Sequence, residues 1–265
     1  SPKTIEPLIN VKTEAIIPVH LYGSPCDIQG LHSIAREHGL YVVEDCAEAI
    51  GTICGENHAG VNSDAATFSF FGNKTLTTGE GGMTFFSNPE VAERARVIRD
   101  HGMSKSRKYW HLVVGGNYRL TNLQAAIGLG QVERAEEIVA AKKQVASLYA
   151  QKLQGFSDVK MMPKSRFGES SFWLVAVSLP AFAAAKREVL MEALAADGVQ
   201  SRTVFPTLHS MPAFNPFPKA TAMGQAEIIA RHGLCLPSTP SMDEAAVTRV
   251  VDSLGRNLDL LGSHV

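Results

Sequence analysis

AIIPVHLYGSPCDIQGLHSIAREHGLYVVED, residues 15–45, carries the reading on which the fold turns. Ala15-Ile16-Ile17-Pro18-Val19 is one short apolar run and Leu40-Tyr41-Val42-Val43 is a second. Between them a helical repeat over Asp27 to His38 puts Leu31, Ile34 and Ala35 on one face. Asp27 suits the N-cap, and Gly39 suits the left-handed position that ends a helix. Two short apolar strands joined by such a helix lie parallel through a right-handed crossover, so the segment predicts a βαβ unit and an α/β fold. Ligands of open α/β sheets gather beyond the carboxyl ends of the strands, which is where Glu44 and Asp45 leave the second strand.

Working outward, Ala66 to Phe71 reads as a strand, Thr77 to Gly82 (TTGEGG) as a backbone-accessible loop, and Met83 to Phe86 as the next strand. A helix starts at Pro89, with Ser87 or Asn88 as its cap and Glu90 and Glu93 at its positive end. Thr121 or Asn122 opens a helical stretch to about Leu153, with a break expected near Gly128-Leu129-Gly130. After Gly155 the pattern becomes a smaller α+β region: strands over Phe172 to Leu179 and Val199 to Val204, and a helix over Ala181 to Asp197. In Asp243 to Leu261 an apolar stripe of Ala246, Val247, Val250, Val251, Leu254, Leu258 and Leu261 predicts a terminal helix packed on the core. The expected organisation is a large domain over residues 1–155 and a smaller α+β domain over residues 156–265.

Composition narrows the function. The 265 residues carry 25 Lys and Arg against 26 Asp and Glu, and no basic stripe, so nucleic acid is not an expected partner. No apolar stretch approaches the roughly 20 residues of a membrane span, and the opening residues lack the pattern of a signal peptide, which reads as a cytoplasmic protein. Cys26, Cys46, Cys54 and Cys235 form no C-x-x-C pair and read as reduced thiols, with no metal site expected.

Three segments could carry chemistry: VVEDCAEAIG (42–51), FSFFGNKTLTTGEGG (68–82) and YWHLVVGGNYRLTN (109–122). Singly, each has an ordinary explanation, because a carboxylate after a strand is usually a cap and a lysine in a Gly-rich stretch is usually solvated. Together they put Asp45 and Lys74, 74 − 45 = 29 residues apart, at the mouth of one α/β sheet. Pyridoxal phosphate needs such a pair: a lysine for the Schiff base with its aldehyde, and a carboxylate that keeps the pyridine nitrogen protonated. Ser69, five residues before Lys74, could supply a hydroxyl to the cofactor phosphate. No G-x-x-x-x-G-K-[ST] occurs, which excludes a Walker-type loop.

VHLYG (19–23), EDCAEAIG (44–51), FSFFGNKTLTTGEGG and YWH…GGNYRLTN resemble the pyridoxal-phosphate-dependent nucleotide-sugar aminotransferases of the DegT/StrS type, and within them the perosamine-type members. The likeness runs from about Thr13 to the terminal helix. It implies a fold-type-I transferase, with a three-layer αβα large domain, working as a homodimer with active sites at the subunit interface. Carried over by position, Lys74 is the Schiff-base lysine and proton shuttle, and Asp45 pairs with the pyridine nitrogen. Ala47 and Glu48 lie against the ring, Ser69 holds the phosphate, and Asn117 reaches the phosphate of the neighbouring subunit's cofactor. Tyr109, Trp110, Arg202 and His209 match stretches that line the sugar pocket.

The resemblance implies a reaction in which glutamate gives its amino group to the 4-keto position of a nucleotide-linked 4-keto-6-deoxy sugar. Relatives that deoxygenate sugars carry His where this chain has Lys74, so the lysine favours transamination. That role needs a neutral amine, which burial beside a cationic cofactor favours. Two departures bear on which sugar is taken: Gly116 stands where the family usually has Tyr, and the S-R-P-x-F-Y-P pattern becomes Ser201-Arg202-Thr203-Val204-Phe205-Pro206-Thr207. The family's long N-terminal segment, with its own phosphate-binding loop, has no counterpart before Thr13, so part of the sheet's apolar face is expected to be uncovered. A 3-aminotransferase on the same scaffold and an inactive, truncated binding remnant are the alternatives.

Overall fold

In the computed structural model, which describes residues 1–214, 216–217 and 224–263, the opening segment forms the expected βαβ unit. Strand β1 (Ala15–Ile16) and strand β2 (Tyr41–Asp45) pair in parallel, with Ala15 opposite Tyr41 and Ile16 opposite Val42. Pro18 cannot donate to a sheet ladder, so β1 stops short of the predicted Val19, and Val19 returns only as a single parallel bridge to Asp45. Helix α1 (Ile28–His38) joins the two strands. The Asp27 carboxylate accepts from the Gly30 N–H at 3.1 Å, and Gly39 ends the helix at φ +66°. Ile28, Leu31, Ile34 and Ala35 bury one face of α1 against Ile16, Val42 and Ala66.

Strand β3 (Ala65–Ser69) adds in parallel on β2, with Asp45 opposite Thr67, and strand β4 (Gly82–Phe86) closes the order β1-β2-β3-β4 in antiparallel pairing with β3. Helix α2 (Pro89–Arg99) follows, with the Asn88 side chain accepting from Glu90 N–H at 2.8 Å. Helix α3 (Asn122–Val132) starts in a capping box between Thr121 and Gln124. The helical stretch breaks at Glu133 and Arg134, not at Gly128-Leu129-Gly130, before α4 (Ala135–Lys152). Gly128 lies inside the helix, and its missing side chain leaves room for Thr78, whose Cγ2 an added Cβ would meet at 2.9 Å.

Two compact units result. The first is Ser1–Ile138 with Ser165–Ser171, and the second is Val139–Lys164 with the described chain from Phe172 onward. In the second unit a sheet of four short strands runs in the order β7-β8-β6-β5: β5 (Lys160–Met161), β6 (Val175–Ser178), β7 (Arg202–Thr203) and β8 (Gly233–Leu236), all antiparallel. Both β6 and β7 are shorter than their apolar runs. The predicted helix over Ala181 to Asp197 divides at Lys186 into Ala181–Ala185 and α5 (Arg187–Ala196). The terminal helix α6 (Glu244–Gly262) is capped by Asp243 and buries Val247, Val250, Val251, Leu254 and Leu258 with Tyr149, Leu190 and Leu234. All four cysteines are thiols, three of them buried, and no described helix is long and apolar enough to cross a membrane.

Candidate functional site

Alternation along β2 separates its two acids. Val42 and Glu44 turn to the face covered by α1, so Glu44 points into the core, not into the space beyond the strand. Asp45 takes the other face, and its register with Thr67 puts it on the same side of the sheet as Thr67 and Ser69. The Asp45 Oδ1 accepts from the Ala47 N–H at 3.0 Å, a local turn that ends the strand and fixes the carboxylate at its carboxyl end. Asp45 stays half-exposed.

The segment after β3 brings the amine. Lys74 N–H donates to the Phe71 carbonyl, and the TTGEGG loop folds back on the same turn through Thr78 N–H and Thr77 Oγ1, both donating to the Phe70 carbonyl. Lys74 is largely buried, and its Nζ lies 3.8 Å from the Glu48 Oε1. The other Glu48 oxygen accepts the Tyr22 backbone N–H at 2.6 Å, so Glu48 is held with one oxygen towards the lysine. Ser69 Oγ accepts from the Phe71 N–H at 3.3 Å. The first unit thus holds Asp45, Ala47 and Ser69 at the ends of β2 and β3 and joins Lys74 to Glu48.

The remaining predicted residues have other described partners. Tyr109 and Trp110 are exposed, at 78% and 51%, under the Lys108 ammonium and the Arg107 guanidinium respectively. Asn117 is exposed as well, with its Oδ1 accepting from Arg119 Nε at 3.1 Å. Arg202 and His209 belong to the second unit, where the Arg202 guanidinium lies 5.1 Å from the Trp173 ring centroid and His209 Nε2 pairs with Glu227 at 2.9 Å.

Sequence reasoning passed over Thr75. Its Oγ1 is buried with no hydrogen-bond partner among the described residues, directly after Lys74. A buried orphan hydroxyl is costly unless something completes it, and its place beside Lys74 was the available signal. Carboxylate, amine and two hydroxyls at the ends of two parallel strands are the donor set that a cationic pyridine ring, an aldehyde and a phosphate require. The residues present fit pyridoxal 5'-phosphate.

Comparison with known proteins agrees with that fit. Residues 1–255 match the model of the DegT/DnrJ/EryC1/StrS aminotransferase family. The GDP-perosamine synthase of Caulobacter vibrioides is 41% identical over 255 residues, spanning 96% of this chain and 68% of the relative. That of Vibrio cholerae is 37% identical over 246 residues, spanning 93% and 67%. Among solved structures, S. venezuelae DesV superposes with a TM-score of 0.88 at 32% identity, covering 97% of this chain and 68% of DesV. The chain therefore spans about two-thirds of the length of these proteins.

Proposed function

Because the chain belongs to the DegT/DnrJ/EryC1/StrS aminotransferase family, and its pyridoxal-phosphate dependence follows from that membership, we propose that it moves an amino group from glutamate to the 4-keto carbon of a nucleotide-linked 4-keto-6-deoxy sugar. The observation that carries the reading is the Lys74–Glu48 pair, with Asp45 fixed at the carboxyl end of β2. The two perosamine synthases, at 41% and 37% identity, support the 4-amino product.

Bound pyridoxal phosphate supplies a carbonyl for the amino group and an electron sink for the carbanion. Asp45 would hold the cofactor's pyridine nitrogen and keep it protonated. Lys74 would hold the cofactor through its aldehyde and would be the group that carries protons for the donor's Cα and the sugar's C4. Glu48 Oε1, 3.8 Å from the Lys74 Nζ, orients the amine and is the nearest described carboxylate oxygen with which it could exchange a proton. Ser69, with Thr75, offers hydroxyl donors to the phosphate. Tyr109, Trp110, Arg202 and His209 are the sugar-side residues of this reading.

The enzyme works as a homodimer in the cytoplasm on this reading, with Asn117 reaching the partner's cofactor phosphate. Two features support the dimer. Helices α2 and α3 bury none of their residues, and Val114 and Leu123 are 97% and 80% exposed. Exposed apolar residues in such number are what a second copy of the chain would cover. The test is borohydride reduction after incubation with pyridoxal phosphate, then peptide mass mapping and assays with glutamate and keto-sugar nucleotides. A single adduct on Lys74 with 4-amino sugar formed is the expected result. No adduct, or adducts spread over surface lysines, would overturn the reading.

A further inference from the structure

The VHLYG loop (19–23) and Glu44 take no part in the chemistry above, yet they touch each acid of the site. Glu44 is 1% exposed and His20 is fully buried. The Glu44 Oε2 accepts from His20 Nε2 at 2.7 Å and from the Gly60 N–H at 3.0 Å, while Oε1 accepts from Ser63 Oγ at 2.5 Å. The Cys26 N–H donates to His20 Nδ1 at 3.1 Å, which makes Nε2 the protonated nitrogen facing Glu44. Burial pushes the Glu44 carboxyl up, but the hydrogen bonds from His20 and Ser63 outweigh it and hold the group below its ordinary range. Gly60 fits because a Cβ there would meet the Ala66 Cβ at 2.7 Å, and its φ of +91° brings the N–H to the carboxylate.

The same loop also holds the neighbouring acids. His20 N–H donates to the Asp45 carbonyl at 3.2 Å, and Asp45 N–H donates to the Pro18 carbonyl at 2.9 Å. Tyr22, at φ +57°, turns its N–H onto Glu48. A left-handed tyrosine persists only where its surroundings over-determine it. The loop is thus pinned on one side by the His20–Glu44 pair and carries Asp45 and Glu48 on the other. His20, Glu44 and Cys46 offer ligand atoms within 4.8 Å of one another. Both carboxylate oxygens are already taken by protein donors, so the cluster is a completed hydrogen-bond network.

We propose that His20 and Glu44 are positioning residues: their buried pair locks the VHLYG loop to the end of β2 and so sets the direction of Asp45 and Glu48, without touching cofactor or substrate. The proposal rests on the reading of Asp45 as the partner of the pyridine nitrogen. Glu44→Gln keeps the shape but presents an amide to three donors, and the misfit has to be relieved through the loop.

The measurement is the affinity for pyridoxal phosphate, followed by its visible absorbance and by reductive trapping at Lys74, in wild type, Glu44→Gln, Asp45→Asn and the double variant. Glu44→Gln is expected to weaken binding about tenfold in the wild-type background and clearly less in the Asp45→Asn background, where the share of its effect that runs through Asp45 is already lost. Equal losses in both backgrounds, or wild-type affinity in Glu44→Gln, would overturn the proposal. If Glu44→Gln does not unfold cooperatively, His20→Gln against His20→Ala decides. Glutamine can still donate to Glu44 and should rescue affinity and absorbance, and equal loss in the two variants refutes the role. Absence of any Lys74 adduct in the wild type is a different outcome, which overturns the functional reading and this inference with it.

Discussion

Lys142 offers a test of the second unit in which the sign and size are both set by burial. It lies on α4, 6% exposed, with its Nζ donating to the Ser238 carbonyl at 2.8 Å and no carboxylate paired with it among the described residues. Burial lowers its pKa from 10.5 to about 8. Between those values the unfolded chain holds a proton that the folded chain has released, so stability rises with pH. The gap is 10.5 − 8, about 2.5, and at about 1.4 kcal/mol per pH unit the gain is about 3 kcal/mol. It is absent below pH 8, builds between the two values and is complete above 10.5. The neutral amine still has an N–H for Ser238, so the hydrogen bond survives deprotonation.

Lys142→Met removes this slope. At neutral pH it also removes a buried charge but withdraws the donor from the Ser238 carbonyl, a loss of about 1–3 kcal/mol that offsets much of the gain. Urea unfolding followed by circular dichroism, on both proteins from pH 7 to 10.5, isolates the effect as a difference in slope. Parallel curves for wild type and variant would refute the reasoning, since every other titrating group is common to both.

Lys74→Ala should abolish transamination while leaving cooperative unfolding in place, as read by product formation and a thermal melt; normal turnover would sink the mechanism. Asn117→Ala should weaken cofactor retention on gel filtration, and unchanged retention would remove the cross-subunit assignment. Leu254→Ala, at a fully buried position of the second core, should cost about 2–5 kcal/mol in urea unfolding without altering cofactor affinity. A loss below about 1 kcal/mol would mean that the terminal helix is not packed as described.

What could be read from the chain alone was local. Asp27, Gly39 and Asn88 announce helix ends because their own chemistry satisfies the groups that a helix leaves open, and all three sit where expected. Asp45 and Lys74 were legible as types at the mouth of a sheet. The break at Glu133 was not, because two nearby glycines gave the stronger local signal and one of them is there to admit Thr78. Nor was the partnership of Glu48 with Lys74 and with Tyr22, since contacts 26 residues apart depend on how strand ends are brought together. Glu44 is the clearest case. Adjacent to Asp45 in sequence, it faces the other way, and only the period of the strand separates a core residue from a site residue.

The bare flanks of α2 and α3 bear on how the enzyme would behave in dilute solution. If a second copy covers them and lends Asn117 to the site, catalytic competence becomes a matter of mass action. Specific activity then falls as the protein is diluted below the dissociation constant of the pair, and cofactor, by binding only the assembled form, draws the copies together. Enzyme concentration would become a regulatory variable, and assays run at different dilutions would report different apparent rates from the same polypeptide.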